Sequence, residues 1–202
     1  MTYGSPSRIL FIIAVILCIT AFAVFTDFFH FRNQTIPLDP EFLPDRKLFN
    51  EQYAFQLAAP SDWYFLNRPN SLLDYPESAA QLTNEAKNAF CVVIPESISD
   101  PSVNLTIDDL RILVIKMIRN ENPEVEFKEE MKLNTSWSDR LRIVYTSDLG
   151  AQTICWLIQI DLTGRLTYRT ICWCAQKDFP QNHKAFLSVC DSLAPFRQEN
   201  QL

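Results

Sequence analysis

The first strong feature of the hydropathy pattern is a long apolar run near the N-terminus. Residues 9–25 carry no charge, and Thr20 is the one clearly polar side chain among these seventeen positions. A helix of that length spans roughly 25 Å, near the lower limit of a bilayer core. The pattern predicts a transmembrane signal anchor over residues 9–27, preceded by an N-terminal tail over residues 1–8.

Two other interpretations of this run were weighed against an uncut anchor. Arg8 and the sequence Ala21-Phe22-Ala23 together resemble a cleavable signal peptide. Lipidation of Cys18 is disfavoured, because a bulky leucine precedes it and apolar residues follow it. We therefore expect a single-pass membrane protein with its N-terminus inside and its domain outside the cytoplasm. The alternative is a secreted or periplasmic protein cleaved near Ala23.

The pattern changes twice after the apolar run. Residues 28–47 contain three prolines and little periodicity, which predicts an extended linker. Residues 48–196 then have the mixed periodicities of a globular domain, and residues 197–202 form a polar tail. Period-two alternation and short apolar runs predict strands over residues 53–57, 90–94, 126–133, 141–146, 153–161 and 166–175.

Helical periodicity predicts three helices in the domain. One covers residues 76–88, one begins after the N-cap Thr106 and is well buried, and one is capped by Asp178. The order of elements is typical of an α+β fold with an antiparallel or mixed sheet of five or six strands, covered by helices.

Three short motifs in this domain resemble a known family. They are Pro60-Ser61-Asp62-Trp63 after the first strand, Thr106 to Leu110 at the start of a helix, and Asp191-Ser192-Leu193 near the end of the domain. Together with the element order, they resemble the PsbP-like superfamily over residues 48–196. That superfamily includes extrinsic photosystem II subunits and membrane-anchored periplasmic proteins of bacteria. The resemblance implies an α/β/α sandwich that binds partners without catalysis, and it brings no catalytic residues with it.

Composition narrows the function classes further. Hydrophobic residues make up 48% of the chain, which excludes wholesale disorder. The net charge is −6 and no Lys/Arg cluster interrupts it, so no nucleic-acid partner is expected. The chain has only three glycines, too few for a phosphate-binding loop or a dinucleotide fingerprint.

Cysteines are the first candidates for chemistry. If Thr163 and Gly164 form a two-residue hairpin loop, Cys155 lies directly opposite Cys172, which predicts these two as disulfide partners. The alternative is that both are free, buried thiols. Cys172 and Cys174 share one strand face with Cys155 nearby, but the chain lacks the usual spacing of a zinc site, so no metal site is predicted.

The aromatic run Trp63, Tyr64 and Phe65 lies in a loop context. It predicts either a patch that faces a partner or a Trp63 side chain that fills the core. His183 and Cys190 are separated by about 10 Å along a helix, too far for a hydrogen bond. We therefore predict no catalytic residue, no metal ligand and no cofactor.

These observations favour a non-catalytic accessory domain that binds another protein or complex at the membrane. A periplasmic domain for a small ligand or lipid is the alternative, because apolar layers can enclose a pocket. A thiol oxidoreductase that uses Cys172 or Cys174 is the third hypothesis. It requires a thiol with a lowered pKa.

Overall fold

The computed structural model describes residues 47–66, 75–98 and 104–196. The predicted N-terminal tail and anchor, most of the linker and the C-terminal tail lie outside the described residues. Within the described ranges, neither helix has the length and apolar character needed to cross a membrane.

The described residues form two antiparallel sheets. The large sheet has seven strands in the order β3-β4-β5-β9-β8-β7-β6. Its strands are β3 (Tyr64–Phe65), β4 (Ala80–Asn84), β5 (Ala89–Ser97), β6 (Glu126–Asn134), β7 (Asp139–Leu149), β8 (Gln152–Thr163) and β9 (Leu166–Ala175). The small sheet has the order β1-β2-β10, with β1 (Lys47–Asn50), β2 (Phe55–Ala58) and β10 (Ala194–Pro195).

Two helices complete the described fold, and each packs on one face of the large sheet. The first, α1 (Ile107–Glu121), packs on β7. Its residues Val114 and Ile118 are buried against the isoleucine-rich face of the large sheet. The second, α2 (Phe179–Ser192), packs with the small sheet on the opposite face, where Phe186, Val189 and Cys190 are buried. Because strand side chains alternate between faces, each face has its own core. The fold is α+β, as predicted, with more strands than expected.

The helix predicted over residues 76–88 is wrong. All five residues of β4 are buried, so the strand shows no alternation that would distinguish it from a buried helix. A single 3-10 turn (Glu85–Lys87) follows, capped by the side chain of Asn84. Pro95 lies inside β5 and does not end it. Pairing with β4 stops at Val93, so the missing N–H of this proline faces no second strand.

The helix predicted after Thr106 is confirmed, although its burial is less than expected. The Thr106 side chain accepts a hydrogen bond from the Asp109 backbone and the Asp109 side chain accepts one from the Thr106 backbone, which forms a capping box. Ile112 is 60% exposed. The reason is that α1 rests on one sheet face, and a helix in that position buries a single stripe.

Candidate functional site

A polar cluster lies on the α2 face of the large sheet, and two arginines of β7 form its centre. Register places Arg140 opposite Asp161 and Arg142 opposite Gln159. Arg140 Nε donates to Asp161 Oδ1 at 2.7 Å, and Arg142 NH2 donates to Gln159 Oε1 at 2.6 Å. Gln159 Nε2 in turn donates to Asp161 Oδ2 and to a backbone carbonyl of α2. All four side chains are buried.

Asp191, near the end of α2, connects this buried cluster to solvent. Its Oδ1 accepts from Arg140 NH1 at 2.9 Å and from Arg142 NH2 at 2.7 Å. The Asp191 side chain is 56% exposed, whereas those of the two arginines are 6% and 9% exposed. Two carboxylates balance two guanidinium groups, so the cluster is neutral and fixed by charge-assisted hydrogen bonds. It holds the end of α2 at a defined position over β7.

The β6 side of this face is less covered than the rest. Helix α2 packs mainly on β5, β8 and β9 of the large sheet. Register places Met131 of β6 opposite Arg142, and Leu133 opposite Arg140, so both belong to the α2 face. Met131 is 39% exposed. We call Glu129, Met131, Leu133 and Asp191 the Met131 surface.

The Met131 surface offers binding groups rather than reactive ones. An exposed thioether and a half-buried leucine give an adaptable apolar centre. The exposed carboxylate of Glu129 supplies negative charge, whereas that of Asp191 is already paired with the two arginines. Arg140 and Arg142 lie beside Leu133 and Met131 on the neighbouring strand, where charge-assisted hydrogen bonds hold them in place. This arrangement suits contact with an apolar side chain flanked by a basic group.

The predicted aromatic patch is not exposed. Trp63 and Phe65 are buried at 5% and 6% exposure, and Tyr64 between them is half-buried. The Trp63 backbone N–H donates to the Pro60 carbonyl, and the Trp63 ring packs edge-on against Phe186 of α2. The interpretation in which Trp63 fills the core is therefore the correct one, because α2 covers this side of the sheet.

The predicted Cys155–Cys172 disulfide is also wrong. The hairpin loop consists of Gly164 and Arg165, one residue later than assumed, so Cys155 faces Cys174. Cys172 instead faces Cys91 of β5 and forms a disulfide with it. Of the five cysteines in the described ranges, Cys155, Cys174 and Cys190 are free and buried.

Burial makes these free thiols poor nucleophiles. It raises the pKa of Cys155 to about 11, and it raises the pKa values of Cys174 and Cys190 to about 12. A redox-active thiol needs the opposite shift, because the thiolate is the reacting form. Cys172, the other residue of the oxidoreductase hypothesis, is held in the disulfide.

A row of aromatic rings crosses the other face of the large sheet. Register aligns one ring from each of five adjacent strands, and neighbouring centroids lie 5.4–6.1 Å apart: Phe90, Trp173, Trp156, Tyr145 and Phe127. The three pairs among Phe90, Trp173, Trp156 and Tyr145 are stacked. Cross-strand aromatic pairs of this kind stabilise a sheet. The row therefore stiffens the platform on which the Met131 surface is built.

The family-like motifs have structural roles in this chain. Asp191 binds the two arginines, the Ser192 hydroxyl accepts the Ala58 N–H at 2.9 Å, and Leu193 is fully buried. The three residues together attach the end of α2 to both sheets. His183 stacks on Phe179 of the same helix, at 4.9 Å between ring centroids.

The fold is similar to that of proteins with solved structures. The solution structure of the cyanobacterial PsbP protein (CyanoP) from Synechocystis sp. PCC 6803 matches with a TM-score of 0.57 at 12% identity. The match covers 74% of this chain and 91% of that one. This chain has a PsbP-like fold. At such identity the likeness concerns the fold alone. The function of this PsbP-like domain is therefore argued from the residues of this chain.

Two further structures are more distant from this PsbP-like domain. A crystal structure from Bacteroides thetaiotaomicron has a TM-score of 0.49 at 14% identity, covering 78% of this chain and 50% of that one. LpqN, a Mycobacterium tuberculosis protein involved in cell envelope biogenesis, has a TM-score of 0.47 at 7% identity, covering 76% and 86% of the two chains. No profile of a known protein family matches the sequence, and no curated protein sequence matches it.

Proposed function

We propose that this protein is a membrane-anchored, extracytoplasmic accessory domain that binds another protein at the membrane and has no catalytic activity of its own. The observation that carries the proposal is the Met131 surface, where an apolar centre is exposed beside a rigid, buried ionic cluster. The partner is a protein that presents an apolar side chain to Met131 and Leu133, and a basic group to Glu129.

Rigidity supports the binding role. A surface that is already ordered loses little conformational entropy when a partner binds. Arg140 and Arg142 are fixed by Asp161, Gln159 and Asp191, so the strands under Met131 have one arrangement. The exposed methionine can then adapt its own rotamer to the partner.

The disulfide supports the extracytoplasmic location. Cys91 and Cys172 are both fully buried and bonded across β5 and β9. Structural disulfides persist in oxidising compartments and are rare in the cytosol. The apolar run over residues 9–25 supplies the proposed anchor in the sequence.

The test is a chemical cross-linking pull-down of the full chain from native membranes, read by quantitative mass spectrometry. Met131→Asp adds a charge to the apolar centre and should abolish recovery of the partner. Ile112→Asp is the matched control, because Ile112 is also exposed but lies on α1 at the opposite face. It should leave recovery unchanged.

Other outcomes would contradict the proposal. Equal loss of the partner in both variants would exclude the Met131 surface as the specific contact. Recovery of the chain alone, from membranes that contain it at native levels, would contradict the accessory role. Native mass spectrometry for a retained small molecule would then test the ligand-binding alternative.

A further inference from the structure

A second exposed apolar site lies where the described domain begins and ends. Phe49 of β1 is 50% exposed. Its ring packs on that of Phe196, with centroids 5.1 Å apart, and the Phe196 N–H donates to the Ala54 carbonyl. Strands β1 and β10 flank β2, so the first and last described strands share one small sheet.

The two faces of this small sheet differ in their surroundings. Phe55 and Leu57 point inward and are almost completely buried in the core. Along β1, Leu48 packs against that core, so alternation turns Lys47 and Phe49 outward. The outward face thus carries the exposed Phe49 and, packed on its ring, the half-buried Phe196.

The position of this aromatic pair relates it to the proposed anchor. The apolar run ends at Phe25, and 47 − 25 gives 22 residues from there to Lys47 in β1. At about 3.3 Å per residue, a fully extended chain of that length limits the small sheet to within roughly 75 Å of the bilayer. Tethering therefore gives this end of the domain a high effective concentration at the lipid surface.

Charge separates this face from the Met131 surface. Exposed Lys47 and Glu51 balance each other beside Phe49, although the whole chain carries −6. The Met131 surface instead exposes the Glu129 carboxylate beside the Asp191 carboxylate, which is paired with two arginines. Anionic headgroups repel exposed carboxylates, whereas a neutral aromatic face can approach them.

We propose that the outer face of the small sheet docks on the lipid bilayer, with Phe49 and Phe196 inserted at the boundary between headgroups and acyl chains. Aromatic side chains are enriched at that depth. This proposal rests on the membrane anchor of the proposed function. It orients the domain so that the Met131 surface is free to meet a protein partner.

The experiment uses the full chain reconstituted into phosphatidylcholine/phosphatidylglycerol vesicles, with and without bromine on the acyl chains. Phe49→Trp and Phe196→Trp each place an indole at the proposed contact, and Ile112→Trp places one on α1 as the matched control. After subtraction of the parent signal, brominated lipid should quench the indole at position 49 or 196 about twofold or more, and leave the control unchanged.

Alkaline carbonate extraction of the same vesicles separates failure of the anchor from failure of the docking. Release of the chain into the supernatant would contradict the anchor, and with it both proposals. A chain that stays in the membrane without quenching at positions 49 and 196 would overturn the docking alone. If the indoles at positions 49 and 196 are not quenched by brominated lipid but are shielded from acrylamide in native membranes, the aromatic pair belongs to a protein interface and the lipid proposal is wrong.

Discussion

Asp161 and Arg140 form an ion pair across β7 and β8, with 2.7 Å between Oδ1 and Nε. The Asp161 side chain has no solvent exposure, and that of Arg140 is 6% exposed. Asp161 also accepts from Ser138 and Gln159, so both of its oxygens are satisfied inside the protein. A carboxylate can be held at this depth only with such a complete set of donors.

Removing this carboxylate should destabilise the fold strongly. Asp161→Ala leaves two buried guanidinium groups, those of Arg140 and Arg142, to share the single carboxylate of Asp191. One buried positive charge is then uncompensated, and we expect a loss of about 3–5 kcal/mol in the free energy of unfolding. Urea denaturation measures it. Lys87→Ala is the control, since it breaks the exposed Lys87–Asp62 pair and should cost less than about 1 kcal/mol. Similar losses in the two variants would mean that the buried Asp161 contributes no more to stability than the exposed Lys87–Asp62 pair does.

The Cys91–Cys172 disulfide should contribute to stability through the unfolded chain. It links residues 81 positions apart, and such a crosslink restricts the denatured ensemble. We expect the Cys91→Ala/Cys172→Ala double variant to lose about 2–4 kcal/mol relative to the oxidised protein. Alkylation of the free thiols in denaturant without reductant, followed by peptide mapping under non-reducing conditions, checks the pairing itself. A crosslinked peptide containing Cys155 in place of Cys91 would show that the pairing is different.

The buried thiols predict that stability falls at alkaline pH. Burial raises the pKa of Cys190 to about 12, above that of an unfolded thiol, so the folded state holds its proton more tightly. The stabilisation is complete below the unfolded pKa and is lost as pH rises through the window between the two values. Between pH 7.5 and pH 10, the free energy of unfolding should fall in both proteins. We expect the fall to be about 2 kcal/mol smaller in Cys190→Ala than in the parent protein. Parallel pH profiles would contradict this expectation.

The start of α1 provides a smaller and more local prediction. Thr106→Ala removes the side-chain oxygen that accepts the Asp109 N–H, and should cost about 1 kcal/mol. Thr106→Ser keeps the oxygen and should retain most of the stability. Thermal unfolding of the two variants gives the comparison. If serine and alanine are equally destabilising, the capping box is not the source of the effect.

The sequence predicts the helices and the longer strands of this fold. Both described helices follow from periodicity, because each has one buried and one exposed side. Strands β6 to β9 follow from alternation and short apolar runs, although β7, β8 and β9 are largely buried on both faces. Strand β4 was missed because three of its five buried residues are polar, so it gives no apolar run, and because it adjoins a helical turn: Gln81, Thr83 and Asn84. The small sheet was incomplete in the prediction, since β10 has two residues and its pairing with β2 joins distant parts of the chain.

The candidate site depends on register, and register depends on the loops. Gly150 has a positive φ of +61°, and the loop of Gly150 and Ala151 sets the register that places Arg140 opposite Asp161. That loop was available in the sequence as a signal for the polar cluster. At the next hairpin an error of one loop residue moved the partner of Cys155 by two positions, from Cys174 to Cys172. Exposure of Met131 could not be predicted, because it depends on where α2 ends over the sheet.

The small sheet has a consequence for the order in which the domain matures. Strand β2 lies between β1, the first described strand, and β10, the last. Ser192 and Leu193, just before β10, also complete the contact between α2 and the sheets. A chain emerging from a ribosome or a translocation channel therefore cannot close this sheet until β10 has emerged. Emergence of β10 is the event that completes the small sheet.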